Sequence, residues 1–168
     1  MDRRKIEKIT SLLIAVIIVS LSIFCKFDWK DVGIYSGCNL QCRLLYPFFH
    51  ANVLHAVLNA WCFISIIFIY DVSIWRIFIA YLVAVFIPID TIDSLIGGYS
   101  SPTVGLSGVI FFLFGSISFE VLRKWYYQMW MLFYIIIGFI FPNTNAWIHL
   151  FCYCVGFLFS LLNKPIKI

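Results

Sequence analysis

Polar residues interrupt this chain seldom. They divide it into six apolar runs, near residues 9–25, 53–70, 74–89, 104–119, 125–141 and 146–162. A helix that spans a bilayer needs about 20 apolar residues, with a usual range of roughly 17–25. The runs sit at or just below the short end of that range and predict six short helices. The third, which carries Arg76 and ends at Pro88, is the weakest. None alternates polar and apolar residues as a membrane β-strand would, so the expected class is all-α. No small-residue cleavage site follows the first run, which predicts a retained helix rather than a signal peptide. Repeats, low-complexity tracts and linkers are absent from the sequence, and residues 1–168 read as one membrane domain.

Composition places these helices in lipid. The 168 residues are 63% hydrophobic and 12% charged, with a mean hydropathy of +0.99, whereas soluble domains are roughly half apolar. Lys and Arg then set the expected orientation. With six spans, one side carries nine: Arg3, Arg4, Lys5, Lys8, Arg76, Arg123, Lys124, Lys164 and Lys167. The opposite side carries three, Lys26, Lys30 and Arg43. Both termini are therefore expected in the cytoplasm, with loops 26–50, 90–103 and 142–145 outside. This bias accounts for the net charge of +4 without a nucleic-acid partner. The lack of a soluble domain or extra helix suits, by analogy, a minimal prokaryotic protein of the bacterial plasma membrane.

Two stretches read as irregular. The first outer loop, about 26–49, is long and carries Trp29, Tyr35, Tyr46, Phe48 and Phe49, residues that gather at membrane interfaces. The 90–103 loop, with Gly97, Gly98 and Pro102, runs directly into Gly105-Leu106-Ser107-Gly108 and is expected to enter the membrane before the fourth helix. Non-helical backbone at that depth is tolerated only beside protein or a water-filled cavity. Of the six cysteines, Cys38 and Cys42 share the outer loop and could pair in an oxidising compartment. A metal site built from these two and His50 lacks a second paired cluster, and neither metal nor cofactor is expected.

The polar residues that remain are the informative ones. His50, His55 and Asn59 fall at the outer start of the second helix, Ser107 at the outer start of the fourth, and His149 about one turn into the sixth. Each alone has a structural reading, such as a back-bonding helix serine or a satisfied histidine. The predicted topology, however, puts all five at one depth, and ionisable groups in lipid are functional candidates by default. A serine becomes nucleophilic when an adjacent base takes its proton, which Ser107 and His149 could provide. The oxyanion would need donors. The free first-turn amide of Ser107 and the side chains of His55 and Asn59, four apart on one helical face, could supply them, with His50 completing a polar wall. Cys152, Gly156 and Ser160 on the sixth run, with Gly108 and Gly115 on the fourth, would allow close helix approach. Phe111, one turn below Ser107, could floor the imidazole of His149.

With these residues in place, the chain resembles the rhomboid family of intramembrane serine proteases. Arg43 followed by His50, His55 and Asn59 is similar to the family's first-loop arginine and His-x4-His-x3-Asn motif. Pro102 through Phe111, containing Gly105-Leu106-Ser107-Gly108, is similar to its Gly-x-Ser-Gly segment, and His149 with Gly156 to its sixth-helix pattern. The resemblance implies a six-transmembrane-helix rhomboid-like bundle and a Ser107–His149 dyad without an acid partner. It also implies an oxyanion hole from His55, Asn59 and the Ser107 amide, and transmembrane protein substrates cleaved near their outer ends. Cys42 stands where the family has a tryptophan, which bears on how the first loop is anchored. Cys152 stands where it has a glycine, which predicts a wider contact between helices four and six. An inactive, client-binding relative and a sorting-type rhomboid that trims C-terminal anchors are the alternatives. Transport is disfavoured because all eight acidic residues lie at ends or in loops.

Overall fold

The computed structural model describes residues 3–96, 101–141 and 144–162. Gly97 and Gly98, read from sequence as part of a flexible loop, lie outside them, as do Pro142, Asn143, Lys164 and Lys167. The described residues form nine helices and no named strand. These are α1 (Arg3–Phe24), α2 (Trp29–Val32), α3 (Leu40–Leu45), α4 (Val53–Tyr70), α5 (Ile74–Val85), α6 (Ile89–Ile96), α7 (Ser107–Ser116), α8 (Lys124–Ile140) and α9 (Ala146–Leu162).

Two helices, α1 and α4, are long and apolar enough to cross a membrane; there are three if α5 and α6, bent by 47°, form one broken span. The fourth run is the largest departure from the sequence reading: 104–119 yields only the 10 residues of α7. Residues 101–106 precede the helix as a non-helical segment with a single bridge at Thr103, and the chain after Ser116 leaves the helix in turns. The third run ends earlier than expected, at Val85, because Pro88 cannot continue the α5 ladder. Arg76 does not break it. Its guanidinium reaches Glu120 at 2.7 Å, so the charge is satisfied at the helix surface. The 26–49 segment, hereafter loop 1, is not structureless either, since α2 and α3 lie within it, capped by Asp28 and Asn39.

Burial follows the apolar patterning. Helix α7 is apolar all round and nearly enclosed, as such a helix must be. Gly108, Val109, Ile110, Phe112, Leu113, Gly115 and Ser116 are all buried, with α4, α5 and α9 around them. Helix α4 buries a stripe through Ala56, Asn59, Ala60, Phe63, Ile66 and Ile67, and α1 packs on it with Ser11, Ala15 and Ile18 buried. Large apolar side chains point outward, among them Leu54, Trp61, Trp75, Trp125 and Leu162, which is the surface expected of a chain whose solvent is lipid. Helix α8 lies against α9. Its base is tied inward where the Tyr127 hydroxyl donates to the Phe114 carbonyl at 2.7 Å and Gln128 meets the Tyr153 hydroxyl.

The tightest packing is between α7 and α9. A methyl group on Gly156 would meet the Phe112 carbonyl oxygen and lie 2.9 Å from its carbonyl carbon; one on Gly115 would lie 2.6 Å from the Phe157 nitrogen. The two helices thus touch backbone to backbone. Cys152 is fully buried, and the crossing is set one turn further on, where Gly115 and Gly156 meet the opposing backbone.

Candidate active site

Ser107 is the first residue of α7, and what precedes it decides where it points. Residues 103–106 are held by loop 1 and the residue that follows it. Ile34 and Thr103 exchange two backbone hydrogen bonds, of 2.8 and 2.9 Å. The Gly105 amide donates to the Tyr46 carbonyl at 2.9 Å. The Leu106 amide donates to Nε2 of His50 at 3.2 Å. Gly105 has φ +136°, a conformation open to glycine, and a Cβ there would stand 3.0 Å from Cε1 of His55. The glycine therefore both turns the chain into α7 and leaves room for the His55 ring.

His149 is placed by Asn145. The Asn145 side-chain oxygen accepts from the Ile148 amide at 3.3 Å, and its carbonyl accepts from His149 at 3.4 Å. Its side-chain amide donates to the Thr103 hydroxyl at 3.2 Å. One asparagine thus caps α9 and ties that helix start to the strand-like segment leading to Ser107. With α7 and α9 in backbone contact below, Ser107 Oγ and His149 Nε2 lie 2.9 Å apart. Phe111 stacks on the His149 ring, with centroids 4.2 Å apart and planes within 8°. That leaves the imidazole little freedom to rotate away from the hydroxyl.

The other polar residues line the neighbouring wall. Asn52 caps α4 by accepting from the His55 amide at 2.8 Å, which sets His55 and Asn59 on the face toward Gly105. A Cβ on Gly105 would be 3.3 Å from His55 Nε2 and 3.7 Å from Asn59 Nδ2. Asn59 is buried, and its Nδ2 finds no hydrogen-bond partner. A buried orphan donor is rare and calls for an explanation. His50 stands behind, edge to face with His55 at 5.1 Å. Burial, with His55 adding its own charge, lowers the His50 pKa to about 4. The imidazole is then neutral near pH 7, as its acceptor role toward Leu106 requires. A cavity of about 270 Å³ with a mixed polar and apolar lining reaches this wall, bounded by Trp29, Ala51, His55, Pro102, Thr103 and Asn145 among others.

The structure therefore brings Ser107, His149, Phe111, His50, His55, Asn59 and Gly105 into one neighbourhood. It does not bring Arg43 or Gly156 to Ser107 and His149, and Gly108, although next to Ser107 in the chain, faces other groups. Gly108 lies beneath the Tyr46 hydroxyl and Ile148, Gly156 is at the helix crossing, and Arg43 sits in loop 1. There Cys42 is buried, its thiol directed at the Lys30 and Asp31 carbonyls at 3.4 and 3.3 Å, and burial raises its pKa. Cys38 and Cys42 are free thiols, not the disulfide considered from sequence. The described residues contain no group of His, Cys, Asp or Glu arranged for a metal ion.

Sequence reasoning took Tyr46 for an interfacial aromatic and overlooked Asn145. Tyr46 is buried, its hydroxyl donating to the Ala84 carbonyl at 2.9 Å while its carbonyl holds Gly105. Nothing in the local sequence marks that role. Asn145 was findable, because an asparagine just before an apolar run is a cap signal.

Residues 40–165, three quarters of the chain, match the Rhomboid domain. The chain belongs to the rhomboid family. No curated protein and no solved structure matches it. The rhomboid domain begins at the start of α3, so Arg43 and all the polar residues of the site fall inside it. With its apolar helices, it marks an integral membrane protein.

Proposed function

We propose that this rhomboid is a serine endopeptidase that cleaves transmembrane segments of membrane proteins by a Ser107–His149 dyad. The observation that carries the reading is the 2.9 Å contact between Ser107 Oγ and His149 Nε2, braced by the stacked Phe111. A hydroxyl within hydrogen-bond reach of an oriented imidazole is the arrangement of an activated nucleophile. The unpartnered Asn59 amide supports an oxyanion hole shared with His55 and the Ser107 amide, which has no intrahelical partner at the first position of α7.

In the proposed reaction Ser107 Oγ attacks the scissile carbonyl carbon while Nε2 of His149 takes the hydroxyl proton. The tetrahedral oxyanion rests on the Ser107 amide, His55 and Asn59. His149 then gives its proton to the leaving amine as the C–N bond breaks, leaving an acyl-serine. A water molecule loses a proton to His149 and attacks the acyl carbon; the ester C–Oγ bond then breaks, releasing the carboxyl product as His149 returns the proton to Ser107 Oγ. Water would reach the site by way of the cavity beside His55. The six apolar runs and the nine-to-three distribution of Lys and Arg support six spans with both termini cytoplasmic and the site toward the opposite face. On that topology substrates are cut near their extracytoplasmic ends, in a bacterial plasma membrane.

Labelling of the detergent-solubilised protein by a fluorophosphonate tests this without knowledge of the substrate. Ser107 should become covalently modified, and Ser107→Ala and His149→Ala should each abolish modification while retaining the wild-type helical signal. Wild-type labelling in either variant would overturn the dyad.

A further inference from the structure

Backbone ties to residues 34 and 46 and the His50 ring hold the 103–106 segment, so the position of Ser107 depends on what holds loop 1. Loop 1 is pinned to the corner between α5 and α6. Tyr81 donates to the Leu44 carbonyl and Tyr46 to the Ala84 carbonyl, each at 2.9 Å. One side chain gathers more of these ties than any other around it. The Asp90 carboxylate, in the first turn of α6, accepts from the Gly37 amide at 2.6 Å, from the Ser36 hydroxyl at 3.1 Å and from the Arg43 guanidinium at 2.7 Å. Arg43 meanwhile donates its other nitrogen to the Ile87 carbonyl at 2.9 Å. Two separate parts of loop 1, the turn at Gly37 (φ +78°) and helix α3, are thereby closed on each other through α6.

We propose that Asp90 is a positioning residue for Ser107, acting through Arg43 and loop 1. The route is short. Ser36 lies two residues from Ile34, which pairs with Thr103, and Arg43 lies three residues from Tyr46, which holds Gly105. A lone exposed ion pair contributes little. Here, however, Arg43 is largely shielded, with 17% of its side chain exposed against 55% for Asp90, and it binds two acceptors at once. Charge-assisted, two-pronged bonds of this kind fix geometry as well as energy. Together they anchor a loop that has Cys42, with its small thiol, where the family has a large aromatic side chain.

The proposal rests on Ser107 being the nucleophile, and the test separates the two. Inactivation by a fluorophosphonate is followed at several concentrations, well below the melting temperature, for the full-length protein and for Asp90→Asn, Asp90→Glu, Arg43→Gln and the Arg43→Gln/Asp90→Asn double variant. Asp90→Asn should lower the maximal inactivation rate roughly tenfold while leaving the half-saturating probe concentration unchanged, because the probe does not touch Asp90. Asp90→Glu should restore most of the rate. In the Arg43→Gln background Asp90→Asn should add little, since the two act through one another. A full wild-type rate for Asp90→Asn, or losses that multiply in the double variant, would overturn the positioning role with the nucleophile intact. No labelling of the folded wild type would overturn the nucleophile reading and this proposal with it.

Discussion

Replacing Gly156 by alanine puts the scaffold argument to a quantitative test. The added methyl would lie 2.9 Å from the Phe112 carbonyl carbon and 3.1 Å from its Cα, and nearer still to the carbonyl oxygen. Carbon atoms in ordinary contact stand about 3.5–4.0 Å apart, so α7 and α9 must separate by at least about 0.6 Å. The obstacle is helix backbone, which cannot rotate aside like a side chain. Overpacking of this kind costs about 1–3 kcal/mol. On the proposed Ser107–His149 mechanism, labelling suffers separately from the stability loss. The Ser107–His149 contact of 2.9 Å lies two helical turns away on the same pair of helices, and an opening of this size carries it toward the limit of a hydrogen bond. Misplacement of reacting groups by about 1 Å can cost roughly a hundredfold in rate. Thermal unfolding in detergent should show a lowered melting temperature, and fluorophosphonate labelling at a temperature where the variant is folded should slow by roughly one to two orders of magnitude. Wild-type labelling with a wild-type melting temperature would refute the claim that backbone contact at Gly156 sets the dyad distance.

Gly105→Ala should be harmful for a different reason. A side chain at φ +136° is strained by about 1–3 kcal/mol, and its methyl would press on the His55 ring at 3.0 Å, so labelling should fall along with the melting temperature. His50 predicts a pH dependence. Its pKa of about 4 in the fold lies below the usual 6.5, so the unfolded chain binds the extra proton first. The stability His50 contributes is complete above about pH 6.5 and is lost as pH falls from there toward 4. Melting temperatures across that window should fall less steeply in His50→Asn than in wild type, and parallel curves would contradict the assignment.

The linear sequence determined the all-helical class of the fold and the rhomboid family. Apolar runs report directly on which segments cannot face water, so the helical, lipid-facing character was legible. Ser107, His149, His55 and Asn59 stood out as candidates, because an ionisable or hydrogen-bonding group in an apolar run has few other reasons to be there. Phe111 was legible too, since residues four apart share a helical face whatever the fold. What the tertiary structure decided is distance and support. Pro88 accounts for the end of α5, but the start of α7 depends on the ties of residues 103–106 to Ile34, Tyr46 and His50, which runs of hydropathy do not encode. The role of Gly156 as a backbone contact, rather than one small residue in a stripe, exists only once Phe112 lies across from it. Tyr46, Asn145 and Asp90 escape a local reading because each works between segments far apart in the chain: Tyr46 between Ala84 and Gly105, Asn145 between α9 and Thr103, Asp90 between α6 and both halves of loop 1. Periodicity records which face of an element is buried. It carries no record of which partner fills the other side, and that partner is what brings a serine on α7 within 2.9 Å of a histidine on α9.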